Sequence, residues 1–236
     1  MSDGYPYRPK ILRGAFVEFG VSVSPLLVVF QFNPTQLARN HALTFSFPGA
    51  AAAGSRAAAA PQRTAREFRA GFSSLLDLQK QQVVSVQDRT IGFDIRLDAT
   101  DRIDGQDVIA EQFGIAPQLA TLELMMYPKQ ESSQGADAAN QLGKPKGFSF
   151  TRSANPPLVL FVFGRKRVLP VNINTMNITE SEFSTELYPT QATVAVNLTV
   201  IEGQNIPYSN SKAATEQLSL LNLANLSDTG HVVIPG

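Results

Sequence analysis

Residues 155–201 constrain this chain more than any other stretch, because they read as three antiparallel strands in succession. Residues 158–163, LVLFVF, are apolar without a break, which predicts a strand buried on both faces. Gly164-Arg165-Lys166-Arg167 then reads as a hairpin tip, with a glycine for the reversal and solvated cations beside it. Val171 and Ile173 follow on one parity, Met176 and Ile178 on the other. Strand side chains alternate with a period of 2, so this switch predicts a β-bulge at Asn174-Thr175 that keeps one face inward. The last strand sets Ala192, Val194, Val196, Leu198 and Val200 against Thr193, Ala195, Asn197 and Thr199.

The rest of the chain supplies more strands and some helices. Odd positions Ala15, Val17, Phe19, Val21 and Val23 alternate with Glu18 and Ser22. Pro25 interrupts, and Leu26, Val28, Phe30 and Phe32 resume on even numbers, which implies two strands or one bent strand ended at Asn33-Pro34. Residues 35–39 read as a helical turn. His41, Leu43, Phe45 and Phe47 form the expected inward face of the next strand, and Ile91, Phe93, Ile95 and Leu97 that of another. Phe68, Phe72, Leu75 and Leu76 have helical spacing, weakened by Gly71. Asp107 caps an expected short helix carrying Val108, Ile109 and Phe113. Ile115, Leu119, Leu122 and Met126 form one stripe of a second helix, with Pro117 in its first turn. Residues 211–225 have an amphipathic helical pattern, and residues 232–234 a short strand-like one.

This pattern predicts a mainly β, α+β fold: an antiparallel barrel or sandwich with one or two flanking helices and long loops. It divides into an N-terminal arm (1–13), a β domain (14–202) and a C-terminal helix and tail (203–236). The β domain carries flexible insertions at 48–65, which is alanine-rich, and 128–147, which is polar.

Composition narrows the function classes. The chain has no cysteine, which excludes disulfides, thiolate metal sites and a cysteine nucleophile. Net charge is +0 and pI about 6.7, so no basic field attracts nucleic acid or anionic lipid. No apolar run reaches membrane-span length and residues 1–10 are polar, so direct membrane insertion is not expected and a soluble, cytosolic place of synthesis is. Charged residues make up 17% of the chain, against about 25% in ordinary soluble domains. The outward strand positions hold Thr44, Ser46, Asn172, Asn174, Asn177, Thr193, Asn197 and Thr199 in place of Lys and Glu. Charges commonly guard strands against edge-to-edge association. Weak guarding fits surfaces that meet other subunits, and a monomer with a low-charge exterior is the alternative.

Reactive constellations are missing from the pattern. His41 and His231 are far apart in sequence, and His41 reads as a satisfied core or interface residue. Asp98, Asp101, Asp104 and Asp107 recur every three residues, whereas an EF-hand needs oxygens at alternate positions. Pro145 follows Gly143-Lys144 where a P-loop requires Ser or Thr. Ser209-Asn210-Ser211-Lys212 matches a short Ser-x-x-Lys pattern without its companion motifs. No enzymatic activity, cofactor or metal is expected.

Several stretches together resemble one family. They are Val28-Val29-Phe30-Gln31-Phe32-Asn33-Pro34-Thr35-Gln36-Leu37, Thr90-Ile91-Gly92-Phe93-Asp94-Ile95-Arg96-Leu97-Asp98, Pro157-Leu158-Val159-Leu160-Phe161-Val162-Phe163-Gly164, and Val168-Leu169-Pro170-Val171 with Ile178-Thr179-Glu180 and Phe183, followed by 192–200. In order and spacing these resemble the tube-type domain of the baseplate protein that initiates the tube of phage-tail-like contractile injection systems, which often carries a C-terminal LysM module. The resemblance covers residues 14–202. It implies a tail-tube-like β-barrel assembled as a homo-hexameric ring. That ring would join the trimeric spike hub protein to the inner tube protein, or to a second tube initiator, and touch the baseplate wedge proteins. The segment after residue 202 is too short for LysM and reads as helix and tail. Candidate subunit-interface residues on this reading are Phe32, Asn33, Pro34, Arg165, Lys166, Arg167, Thr193, Asn197 and Thr199. The alternative, a β-sandwich carbohydrate-binding module, calls for exposed Trp or Tyr platforms, and the chain has no Trp and 5 Tyr.

Overall fold

The alternating segments become strands of one antiparallel sheet. A computed structural model describes residues 12–20, 25–47, 65–128 and 155–223. Its elements are β1 (Ala15–Glu18), β2 (Leu27–Val29), β3 (Ala38–Asn40), β4 (Leu43–Ser46), α1 (Ala65–Ala70), α2 (Leu75–Gln81), β5 (Val83–Val86) and β6 (Thr90–Asp98). There follow α3 (Thr100–Asp104), α4 (Val108–Phe113), α5 (Ala116–Leu124), β7 (Val159–Val162), β8 (Val168–Phe183), β9 (Pro189–Val200) and a long helix, α6 (Ile206–Leu223). Among the described residues seven strands form one sheet in the order β2-β1-β7-β8-β9-β6-β3, and β4 pairs with β5 in a second. The chain divides into two compact units, residues 40–89 and the remainder.

In the larger unit the sheet curls strongly. Adjacent strands lie about 4.8 Å apart, so the four steps from β1 to β6 would separate them by roughly 19 Å if the sheet were flat. Instead the rings of Phe16 in β1 and Phe93 in β6 have centroids 6.0 Å apart. Phe161 of β7 lies 5.1 Å from Phe93, and Phe30, just after β2, meets Phe16 edge-on at 5.2 Å. These rings fill the concave side together with the inward residues of β6 and β9. The expected barrel does not close by ladder bonds among the described residues, since β2 and β3 end the strand order. A side-chain tie spans from the β2 side to β6 instead, where Gln31 Oε1 accepts the Asp98 N–H at 2.9 Å.

The predicted bulge forms where the parity changes. Ile173 pairs with Leu198 but Thr175 with Asn197, so Asn174 is the extra residue. Val171, Ile173, Met176 and Ile178 therefore all sit opposite inward positions of β9. Asn174 Nδ2 donates to Thr199 Oγ1 at 2.6 Å on the outer face.

Several expectations are corrected. In β1 the inward ring is Phe16, fully buried, while Val17 is half-buried and Phe19 exposed. Ala15-Phe16-Val17 is apolar on both parities, so alternation could not choose, and the pairing Phe16↔Val28 with Phe16↔Phe161 does. In β7 only Val159 and Phe161 are buried, and Leu160 and Val162 are half-buried on the other face. No helical turn forms at 35–39, where Ala38–Asn40 instead adds a strand beside β6. The stripe of α5 ends on Met125, not Met126: the helix stops at Leu124 and Met125, its C-cap, is 1% exposed. The C-terminal helix begins at Ile206, earlier than expected, because Asn205 Oδ1 accepts the Tyr208 N–H at 2.9 Å and Pro207 fits the first turn. Residues 48–64, 129–154 and 224–236, which include all but residue 65 and residue 128 of the two insertions, and the strand-like tail, lie outside the described residues, as do Val21 and Val23.

The unit of residues 40–89 differs in kind. β4 and β5 form a two-stranded ladder in which Leu43 faces Val86 and Phe45 faces Val84. The expected inward face is not inward: Leu43 and Phe45 are 51% and 55% exposed. None of the unit's described residues is buried. The predicted helix breaks around Gly71 into α1 and α2, and Phe68 stacks on Phe47 at 4.9 Å. His41 is exposed and accepts a hydrogen bond from Arg89 Nε at 2.5 Å. No described helix is long and apolar enough to cross a membrane.

Candidate subunit-interaction surfaces

The sheet edge at β2 is the first surface, and its bonding direction follows from the neighbouring ladder. Phe30 N–H donates to the Gly14 carbonyl and Glu18 N–H to the Leu26 carbonyl, both at 2.8 Å. In an antiparallel pair the bonded residues alternate, so even positions of β2 face β1. The backbone groups of Leu27 and Val29 therefore point away from the sheet, and both side chains are exposed. β2 carries no charge, which is one of the ordinary guards against added strands. At the opposite end of the sheet, all three residues of β3 are exposed.

Phe32, Asn33 and Pro34 follow β2, and the structure separates their roles. Asn33 Oδ1 accepts the Gly14 N–H and Asn33 Nδ2 donates to the Leu12 carbonyl, both at 2.8 Å. Asn33 thus ties the segment before β1 to the end of β2. Asn33→Ala strands the N–H of buried Gly14, so a loss of about 2 kcal/mol is expected in urea denaturation. Phe32 is 45% exposed, and Phe32→Ala is expected to change stability by less than about 1 kcal/mol in the same measurement.

Arg165, Lys166 and Arg167 form the tip between β7 and β8. Gly164 takes a positive φ of 83° to make the reversal, and Phe163 N–H closes it on the Arg167 carbonyl at 2.8 Å. Arg165 and Lys166 are exposed. The Arg167 guanidinium sits 5.7 Å over the Phe163 ring, and partial burial, then the nearby Arg39, lowers its pKa. Thr193, Asn197 and Thr199 lie on the outer face of β9, which is paired on both sides by β8 and β6. They belong to a face and not to an edge, together with Asn172, Asn177 and Thr179 of β8.

Three further surfaces are apolar and exposed, of which the sequence pattern indicated only the amphipathic C-terminal helix. The β4–β5 face of Leu43, Phe45, Val84 and Val86 is one. On α6, Leu218, Leu220 and Leu221 are exposed while Ser211 is buried and Tyr208 joins the core. The third brings together α4 and the β8–β9 turn: Phe113 meets Tyr188 edge-on at 5.4 Å, beside exposed Val108, Ile109 and Leu187. A bulky leucine where a tight turn favours Gly or Asn was the available signal.

The acidic stretch has local structural work. Asp98 Oδ1 accepts the Thr100 N–H at 2.8 Å, and hydrogen bonds from Thr100 hold its pKa below the usual carboxylate value. Asp107 Oδ1 caps α4 by accepting from Ile109 N–H at 3.1 Å. Among the described residues no group of three or more His, Cys, Asp or Glu is arranged to hold a metal. A cleft of about 250 Å³ lies between Thr35-Gln36, Ala38 and Gly92-Phe93-Asp94. The carboxylate in its lining is that of Asp94. No protein-family model matches this chain, and no curated protein sequence matches it significantly.

Proposed function

We propose that this chain is a structural ring-forming component of the baseplate of a contractile injection system. On this reading six copies join the trimeric spike hub to the inner tube and initiate tube assembly, and the chain catalyses nothing. The resemblance supplies the particle, the partners and the number six. The observation that carries the assembly reading is the curled sheet left open among the described residues, with an uncharged, outward-bonding edge at β2 and β3, which carries Arg39, at the other end of the strand order. An edge of one copy that pairs with a different edge of the next is a heterologous contact, which generates a ring when the rotation closes.

The test is lateral association. Val29→Pro removes a donor that points away from β1 and leaves the β1–β2 bonds in place, and Leu27→Lys adds a guarding charge to the same edge. The wild-type chain, alone or with its genomic neighbours, is expected to sediment as a ring or co-purify with spike and tube subunits. Both variants are expected to stay folded by circular dichroism and to lose that species. A wild-type chain that remains solitary at high concentration beside those neighbours refutes the proposal.

A further inference from the structure

Charge on this neutral chain is sorted along β8. The strand has 16 residues, so its ends are roughly 50 Å apart. At its start is the cationic tip of Arg165, Lys166 and Arg167. Arg39 is close enough to depress the Arg167 pKa. Arg13 precedes the β1 residue that pairs with Val162, beside the same tip. Glu202, which follows β9 at this end, is half-buried. At the far end Glu182 and Asp98 both pair across to Gln191, and the backbone ties Ala99 and Ile115 to Thr190 and Pro189 of β9. This brings α3, α4 and the β8–β9 turn together, with exposed Asp101, Asp104, Glu111, Glu180, Glu182 and Glu186. Arg102 is the cation there and is directed to Gln118 at 3.2 Å. Arg96 lies one pair of residues back along β6.

The acidic end also presents an apolar centre. Ile109 and Phe113 lie one turn apart on α4, Phe113 touches Tyr188, and Leu187 is next to it. Leu187 is 79% exposed and sits at φ 64°. A leucine in the left-handed region is disfavoured relative to its ordinary backbone, because its Cβ crowds the following carbonyl oxygen. Here that cost accompanies an apolar side chain held in water, so neither term benefits the single chain.

We propose that the molecule associates end to end with a second copy, the apolar, carboxylate-rimmed end around Leu187 seating the 164–167 hairpin tip of the next molecule. The tip supplies cations for the rim and the apolar stems of Arg165 and Lys166 for Leu187. Both halves of the contact lie on one chain, so molecules that meet head to tail make a heterologous contact that repeats. It uses the ends of β8, whereas lateral assembly uses the sheet edges, and it does not rest on the ring reading.

Sedimentation velocity of the full chain over a concentration series, in low and high salt, tests this. The series is repeated in the chain carrying Val29→Pro, so that end-to-end contact is read with the lateral edge blocked. Concentration-dependent association that weakens as salt rises is expected. Leu187→Asn is expected to keep or raise the melting temperature, since Asn tolerates this backbone, while weakening association at least about tenfold. Arg165→Glu with Lys166→Glu, on exposed side chains, is expected to abolish association independently of any change in the turn. Mixing the two variants is decisive: each retains one working end, so the mixture is expected to yield dimers and nothing longer. A wild-type chain that is monomeric in low salt, association unchanged by either variant, or a mixture that behaves as the sum of its parts each overturns the proposal.

Discussion

Phe161→Ala is expected to cost about 3–5 kcal/mol in equilibrium unfolding. Phe161 is fully buried, and its ring lies 5.9 Å from Phe16, 6.4 Å from Phe30 and 5.1 Å from Phe93. These three rings come from β1, the end of β2 and β6, strands that ladder bonds do not directly join to one another except β1 with β2. Truncation therefore removes the contact that holds the curl as well as the transfer free energy of the ring. Relaxation is restricted, because Phe161 is paired on both sides by Phe16 and Leu169. Phe163, which stacks on Phe161 at 5.7 Å but is half-buried, is the internal control. Phe163→Ala is expected to cost less than half as much. Equal losses would mean that the curl does not depend on the central ring.

Gly114→Ala is expected to lower the melting temperature by on the order of 10 °C. Gly114 sits at φ 56°, ψ −125° between α4 and α5, a conformation that glycine adopts freely and alanine does not. A Cβ there would lie 2.1 Å from the Pro189 carbonyl oxygen. That oxygen already accepts the Ile115 N–H at 2.9 Å, so backing away from the methyl group breaks the bond that fixes α5 to β9. Backbone strain of about 1–3 kcal/mol adds to overpacking of about 1–3 kcal/mol. Gly105→Ala is the comparison, since Gly105 has an ordinary negative φ of −80° and its nearest atom to an added Cβ is 3.3 Å away. Thermal unfolding of both variants, followed by circular dichroism, separates the general effect of a methyl group from this close approach.

Legibility varied with how strongly local pattern constrained each segment. β6 and β9 alternate over many residues, so one face is apolar in any register, and Ile91, Phe93, Ile95 and Leu97 are buried as expected. The bulge at Asn174 was readable because both halves of β8 keep an apolar parity that only an extra residue can reconcile. β4 shows the opposite. Leu43 and Phe45 alternate as a core strand should, yet they face only Val84 and Val86 in a ladder with no buried residue. Alternation reports that a strand has an apolar face, and it carries no information about what covers that face. The candidate interface residues divide in the same way. The tip cations were placed correctly at a turn, and Thr193, Asn197 and Thr199 on the outward face of their strand, whereas the backbone clamp made by Asn33 depends on contacts with Leu12 and Gly14 that the local pattern does not carry.

Residue order by itself determined the β class, the three-strand spine, the bulge and the cap of α4, because each depends on neighbours a few positions away. Tertiary structure alone decided that Phe16 and not Val17 faces inward, that the sheet curls without closing among the described residues, and that residues 40–89 form a separate unit. It also brought exposed carboxylates of α3, α4 and the β8–β9 turn to one end of β8, opposite the tip cations. Those outcomes depend on which strands meet and in what register, and pairing between distant segments is set by the summed packing of the whole core.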